Sequence, residues 1–210
     1  MNEEKEFVQA TEPASSPSSE SGGTVRFVFD ILEMFAWSVF AVLILFTFAV
    51  RICRVEGHSM ENTLYDQQKL IIWSLGYTPK QDDVVVFHRP DLERDDKIII
   101  KRIIATEGQD VTIDFNTGKI TVDGKLYDDQ HSVLKNNKDQ IIDVYELTAA
   151  HHYDSNTGIF SVTVPAGHVF VLGDNRNNSL DSRSNEIGFV DERCILGKAI
   201  LRLSPFTVFS

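Results

Sequence analysis

From Ile31 to Val50 the chain is apolar almost without a break, and between Phe35 and Val50 only Ser38 and Thr47 are polar. At 1.5 Å per residue such a span covers about 30 Å, the thickness of a bilayer hydrocarbon core, so it predicts a membrane-spanning helix. Asp30 precedes it, Glu33 falls at the head-group edge and Arg51 closes it. A cleaved leader is disfavoured by the long acidic approach and by bulky Phe48, Val50 and Arg51 where small residues would be needed. We therefore expect an uncleaved anchor over residues 31–52. The residues before it are rich in Ser, Glu and Pro, most of all Pro13-Ala14-Ser15-Ser16-Pro17-Ser18-Ser19. Residues 1–24 carry too little apolar surface to offset their ordering entropy and read as disordered, within a tail of residues 1–30.

After Val55 the pattern changes to short β-branched runs. Leu70-Ile71-Ile72-Trp73, Val84-Val85-Val86-Phe87, Ile98 to Ile104, Val162-Thr163-Val164, Val169-Phe170-Val171-Leu172 and Ile195 to Leu203 all predict strands. Asn116-Thr117-Gly118 between two such runs predicts a hairpin, and Asp123-Gly124 the next turn. No strong amphipathic helix interrupts them. The expected fold is mainly β: an N-terminal transmembrane helix followed by one β-rich domain of antiparallel sheets over residues 53–210. A variable insertion is expected at about 113–160, with residues 128–157, polar and weakly patterned, as a loop or small subdomain.

Composition narrows the functions. The chain is 42% hydrophobic and 24% charged, with 20 basic and 31 acidic residues and a net charge of -11. No Lys/Arg cluster offers a phosphate-binding surface, so nucleic acid is not an expected partner. Cys53 and Cys194 form neither a disulfide framework nor a metal-ligand spacing and read as unpaired. No metal or other cofactor is expected.

Three places carry candidate chemistry. Ser59 lies in Gly57-His58-Ser59-Met60, shortly after the apolar run. Lys101 is embedded in Ile98-Ile99-Ile100-Lys101-Arg102-Ile103-Ile104. A lysine acts as a base only when its pKa is lowered, and a desolvating apolar strand does this. Alternation places Lys101 on the face opposite Ile100 and Arg102, leaving Arg102 solvated. A helix-capping serine and an edge lysine are the plain alternatives, and His58 is a rival base. The third place is Gly173-Asp174-Asn175-Arg176-Asn177-Asn178-Ser179-Leu180-Asp181-Ser182-Arg183, an ordinary polar loop or one that supplies a hydroxyl and an Asp–Arg pair behind the site.

Taken in order, the apolar anchor, Gly57 to Leu64, Asp82-Asp83-Val84-Val85-Val86-Phe87, Ile100 to Ile104 with Gly108-Gln109-Asp110, and Gly173 to Arg183 resemble bacterial type I signal peptidases of the small, single-anchor, Gram-positive kind. The resemblance implies Ser59 as nucleophile and Lys101 as general base, with a fold like that of signal peptidases and repressor proteases. It implies that Ser179 hydrogen-bonds and orients Lys101, that Asp181 and Arg183 brace the loop, and that Asp174 is a nearby structural carboxylate. It makes the Ser59 N–H one oxyanion donor. Some relatives have a serine where this chain has Gly57, so a second donor is left open, and Asn62 stands where proline is usual. Val55, Met60, Leu64 and Ile100 match the lining of shallow pockets that accept Ala-x-Ala before the cut. The implied partners are secretory preproteins and the lipid bilayer. The implied form is a monomer with a cytoplasmic N-terminus and its catalytic domain on the outer face; Arg51 and Arg54 after the span do not by themselves give that orientation. The rival functions are a self-cleaving repressor-type protease, a silent membrane scaffold, and a specialised peptidase of the same family.

Overall fold

The computed structural model describes residues 21–89, 98–128, 151–154, 156–184 and 186–209. Helix α1 spans Ser21–Ala49. Its bounds differ from the expected 31–52 at both ends. The helix takes in residues 21–24, read from composition as disordered, because extending a formed helix costs far less than starting one. It stops before Val50, since Val50–Arg54 is strand β1, where Val50 and Ile52 stand opposite Trp73 and Ile71. Large apolar side chains along α1, among them Phe29, Phe35, Trp37, Leu43 and Phe48, are exposed, the surface that a hydrocarbon environment suits.

The strands in the rest of the described chain pair antiparallel, linked by turns and one short 3-10 helix at Glu192–Cys194. Strands β2 (Lys69–Trp73), β3 (Val84–His88), β4 (Ile98–Ala105), β10 (His168–Leu172), β11 (Val190–Asp191) and β12 (Ile195–Leu203) join β1 in the order β1-β2-β12-β3-β4-β10-β11, and β13 (Phe206–Val208) pairs with β12. A second sheet has the order β7-β6-β5-β9-β8, from β5 (Asp110–Asp114), β6 (Lys119–Val122), β7 (Lys125–Leu126), β8 (His151–Asp154) and β9 (Ile159–Thr163). The predicted hairpin is β5–β6, with Ile113 opposite Ile120 across the Asn116-Thr117-Gly118 turn. Residues 113–128 and 151–154, placed within an insertion, are largely strands and turns of this second sheet. Residues 129–150 lie outside the described residues, and so does most of the polar stretch 128–157.

Both faces of β4 are covered. Ile100 belongs to one buried cluster with Val55, Met60, Leu64, Leu70, Ile72, Val84, Val86 and Ala199. Ile103 belongs to another with Val85, Phe87, Val169 and Val171. Ile104, Phe170 and Leu172 meet Val111, Ile120 and Phe160 of the second sheet in a third. β4 is therefore an interior strand, open to solvent only at its start, Ile98 and Ile99.

Candidate active site

Lys101 sits on β4 opposite Val85 and is 4% exposed. Its Nζ donates to Ser59 Oγ at 2.6 Å, bridging the two sequence candidates. Ser59 comes from a loop whose ends are tied by Val55 N–H to Gln68 C=O and Gln67 N–H to Val55 C=O. Gly57 turns this loop with a φ of 86°, a left-handed conformation that glycine adopts without a Cβ penalty. Its N–H is held by Asp66 Oδ1 at 2.9 Å. That bond is the first of the interactions holding the exposed Asp66 carboxyl below the usual carboxylate range. His58, the rival base, turns to Glu61 instead, with Nδ1 2.6 Å from Oε1.

Behind the serine lies the loop that follows β10. Asp181 is fully buried; burial alone would raise its pKa, but the Arg183 charge and hydrogen bonds and the Gly173 N–H hold it below the usual range. Arg183 grips both Asp181 oxygens, at 2.8 and 2.9 Å, and also donates to the Arg176 carbonyl. The loop is fastened to β10 by Ser182, whose Oγ accepts from Val171 N–H and whose N–H donates to Val171 C=O. A Cβ on Gly173 would lie 2.1 Å from Ser179 Oγ and 2.5 Å from the Ser59 carbonyl oxygen. Glycine is thus the residue that lets this loop reach Ser59.

The expected hydrogen bond between Ser179 and Lys101 is not formed here. Ser179 Oγ is buried and makes no hydrogen bond. Arg102 differs more. It is not solvated but 4% exposed, because β4 has no open face. Its guanidinium makes a two-point pair with Asp174, at 2.9 and 2.7 Å, and donates to the Asp82 carbonyl at 2.8 Å. Burial alone would lower the Arg102 pKa; the bonds and charge of Asp174 outweigh it and raise it. Asp174 also accepts from Thr63 Oγ1, so Arg102, Asp174 and Thr63 join β4, the loop and the Ser59 turn.

Val55, Met60, Leu64 and Ile100 all fall in one cluster around the Ser59 turn, none more than 8% exposed. Sequence reasoning gave no individual role to Arg102, Thr63, Gly173 or Asn175, although Gly173 and Asn175 lie in the polar loop it singled out. An arginine inside an apolar run was the signal for Arg102; Asn175 was marked only as a member of the loop 173–183, not by any feature of its own. Among the described residues no group of three or more His, Cys, Asp or Glu side chains is arranged to hold a metal, and both cysteines are free.

Fold and site together define a class: an antiparallel β domain behind an apolar N-terminal helix, with a serine hydroxyl held by a buried lysine. Comparison with known proteins identifies the family. The model for signal peptidase, peptidase S26, matches residues 28–204, and the chain belongs to that family. A Synechocystis sp. protein named "Probable signal peptidase I-1" is 30% identical over 188 residues, covering 86% of this chain and 84% of its own. Signal peptidase IB of Staphylococcus aureus (strain COL) is 30% identical over 189 residues, covering 86% of this chain and 93% of its own. A crystal structure of a signal peptidase I from Enterococcus faecalis V583 aligns at 28% identity with a TM-score of 0.41, over 58% of this chain and 97% of its own. The activity is that of a type I signal peptidase, a serine peptidase.

Proposed function

We propose that this chain is a membrane-anchored endopeptidase that removes N-terminal signal peptides from secretory preproteins, cutting after Ala-x-Ala through a Ser59/Lys101 dyad and an acyl-enzyme. The observation that carries the reading is the 2.6 Å contact between a buried amine and a half-buried hydroxyl. Burial strips hydration from an ammonium and so favours the neutral amine a base must be. Neutral Lys101 takes the Ser59 proton as Oγ attacks the scissile carbonyl. The tetrahedral oxyanion collapses, the C–N bond breaks, and Lys101 returns the proton to the leaving amine. The mature protein departs. A water deprotonated by Lys101 then attacks the ester, releasing the signal peptide and restoring the Ser59 hydroxyl. Asp174, Asp181, Arg183 and Ser179 act behind the pair as supports.

Small side chains are selected sterically. Val55, Met60, Leu64 and Ile100 are packed in the core, so pocket walls built on them yield little to a larger residue.

The bilayer is the second partner. Cross-strand register puts Ile52 of β1, Ile71 of β2, Leu201 of β12 and Val208 of β13 on one sheet face, with Leu203 and Phe206 beside them. Ile52, Phe206 and Val208 are each about two-thirds exposed or more, at 67%, 71% and 68%. Arg54 and Lys69 stand opposite each other at the end of the same face, basic groups suited to anionic head groups. The face starts where the chain leaves α1. We place α1 across the membrane with the N-terminus cytoplasmic and the β domain outside.

The test is cleavage of a purified Ala-x-Ala precursor in lipid by the wild-type chain beside Lys101→Ala and Ser59→Ala. Wild type alone should cut, with a rate that climbs on the alkaline side as Lys101 loses its proton. Retained cleavage by Lys101→Ala, or a profile flat from acid to alkaline pH, rejects lysine as the base.

A further inference from the structure

With Gly57 in place of a hydroxyl-bearing residue and its N–H occupied by Asp66, the residue two before the nucleophile offers no oxyanion donor. The carbonyls on either side of the Ser59 α-carbon point to an alternative. His58 C=O accepts from Asn175 Nδ2 at 3.0 Å, and Ser59 C=O accepts from Asn175 N–H at 3.0 Å. Two successive peptide planes thus direct their oxygens at one residue. In a trans peptide the N–H lies opposite the C=O of the same plane. The N–H groups in these two planes belong to Ser59 and Met60, and both therefore face away from Asn175, on a common side. Neither meets an acceptor among the described residues. Glu61 N–H closes the turn back onto His58 C=O at 3.1 Å, which holds the first of these planes within the turn.

We infer that the Ser59 and Met60 N–H groups together form the oxyanion hole of this enzyme, and that Asn175 is the positioning residue that aims them. The inference rests on Ser59 being the nucleophile. Adjacent backbone N–H groups with a shared direction make a concavity that binds negative charge. Such donors are fixed before the reaction begins and need no reorganisation as charge develops on the carbonyl oxygen. Glu61 Oε2 lies 3.4 Å from the same Asn175 amide and His58 Nδ1 contacts the other Glu61 oxygen, so the turn is held at its rim as well.

The experiment uses the full chain in lipid with the α-hydroxy analogue of methionine at position 60, which converts that amide to an ester, deleting the N–H and weakening the Ser59 carbonyl as acceptor for Asn175 N–H. Three quantities are measured: kcat and KM on an Ala-x-Ala precursor, affinity for a peptidyl boronate that forms a tetrahedral adduct with serine, and affinity for an uncleavable peptide. Loss of one oxyanion donor is worth about 100-fold or more in kcat. The ester protein should lose about that factor in kcat and a parallel factor in boronate affinity, while KM and uncleavable-peptide affinity stay within about twofold. Asn175→Ala should move the same two quantities in the same direction, and serves as the test if the ester protein does not fold. Unchanged kcat and boronate affinity, with Lys101→Ala inactive, overturns the oxyanion assignment and leaves the dyad standing. An active Ser59→Ala overturns both.

Discussion

Arg102 and Asp174 are both almost wholly buried, and each satisfies the other with two hydrogen bonds. Removing one partner strands a charge where water does not reach, so Asp174→Ala or Arg102→Ala should destabilise the protein by about 3–5 kcal/mol. Denaturant unfolding of the full chain in detergent measures this; a loss under 1 kcal/mol would mean that the freed charge finds another partner. Asp181 makes a prediction in pH. Its native carboxyl is held below the unfolded value, so its contribution is complete above the unfolded pKa of about 4 and disappears as pH falls through the native one. Asp181→Asn should therefore be less stable than wild type at neutral pH, and the two should converge in acid. A gap that stays constant with pH would show that packing rather than charge is lost. At this scale the sequence was readable where chemistry is rare, as with a lysine in an apolar strand. It was unreadable where the partner is distant: alternation put Lys101 and Arg102 on opposite faces, but nothing local revealed that both faces are covered or that Asp174, 72 positions away, meets Arg102.

Strands announce themselves by β-branched runs, and Ile195–Leu203 has the bounds that its pattern implied. The second sheet was harder to see. β7 and β8 are short, polar strands whose existence depends on neighbours supplied by β6 and β9. The anchor's C-terminal end was misplaced for a related reason: Val50 and Ile52 are as apolar as the helix before them, and only their pairing with β2 makes them strand. The apolar face across β1, β2, β12 and β13 yields the prediction at this scale. Phe206→Glu with Val208→Glu should lower partitioning of the protein's β domain onto anionic vesicles, measured as protection of β13 from a water-soluble quencher in reconstituted full chain. Turnover of a short soluble peptide should change by less than about twofold. Equal protection in mutant and wild type would remove lipid as the occupant of this face.

For the molecule as a whole, α1 contributes location rather than chemistry. Anchoring enzyme and precursor in one membrane raises their effective concentration. Deleting residues 1–49 should leave the rate on a soluble peptide near wild type and reduce the rate on a membrane-tethered precursor by about 10-fold or more, as comparative proteoliposome assays would reveal. Equal rates on the tethered precursor would deny the anchor that role. The cut belongs after Ala49: a deletion through residue 52 takes three of the five residues of an edge strand with it.

The cluster around Met60 has an evolutionary consequence. Val55, Met60, Leu64 and Ile100, which we assign to substrate recognition, are also core residues beneath Ser59. Trimming one to admit a larger substrate residue would leave a cavity costing about 2–5 kcal/mol, a large share of the stability of an ordinary domain. On that assignment recognition and folding share the same atoms, so selection cannot adjust one without disturbing the other. Precursors face no such constraint, because a cleavage site is a few residues of extended chain with no core to disturb. Variation in this partnership should accumulate in the substrates, while the enzyme's own rule for what it accepts stays nearly frozen.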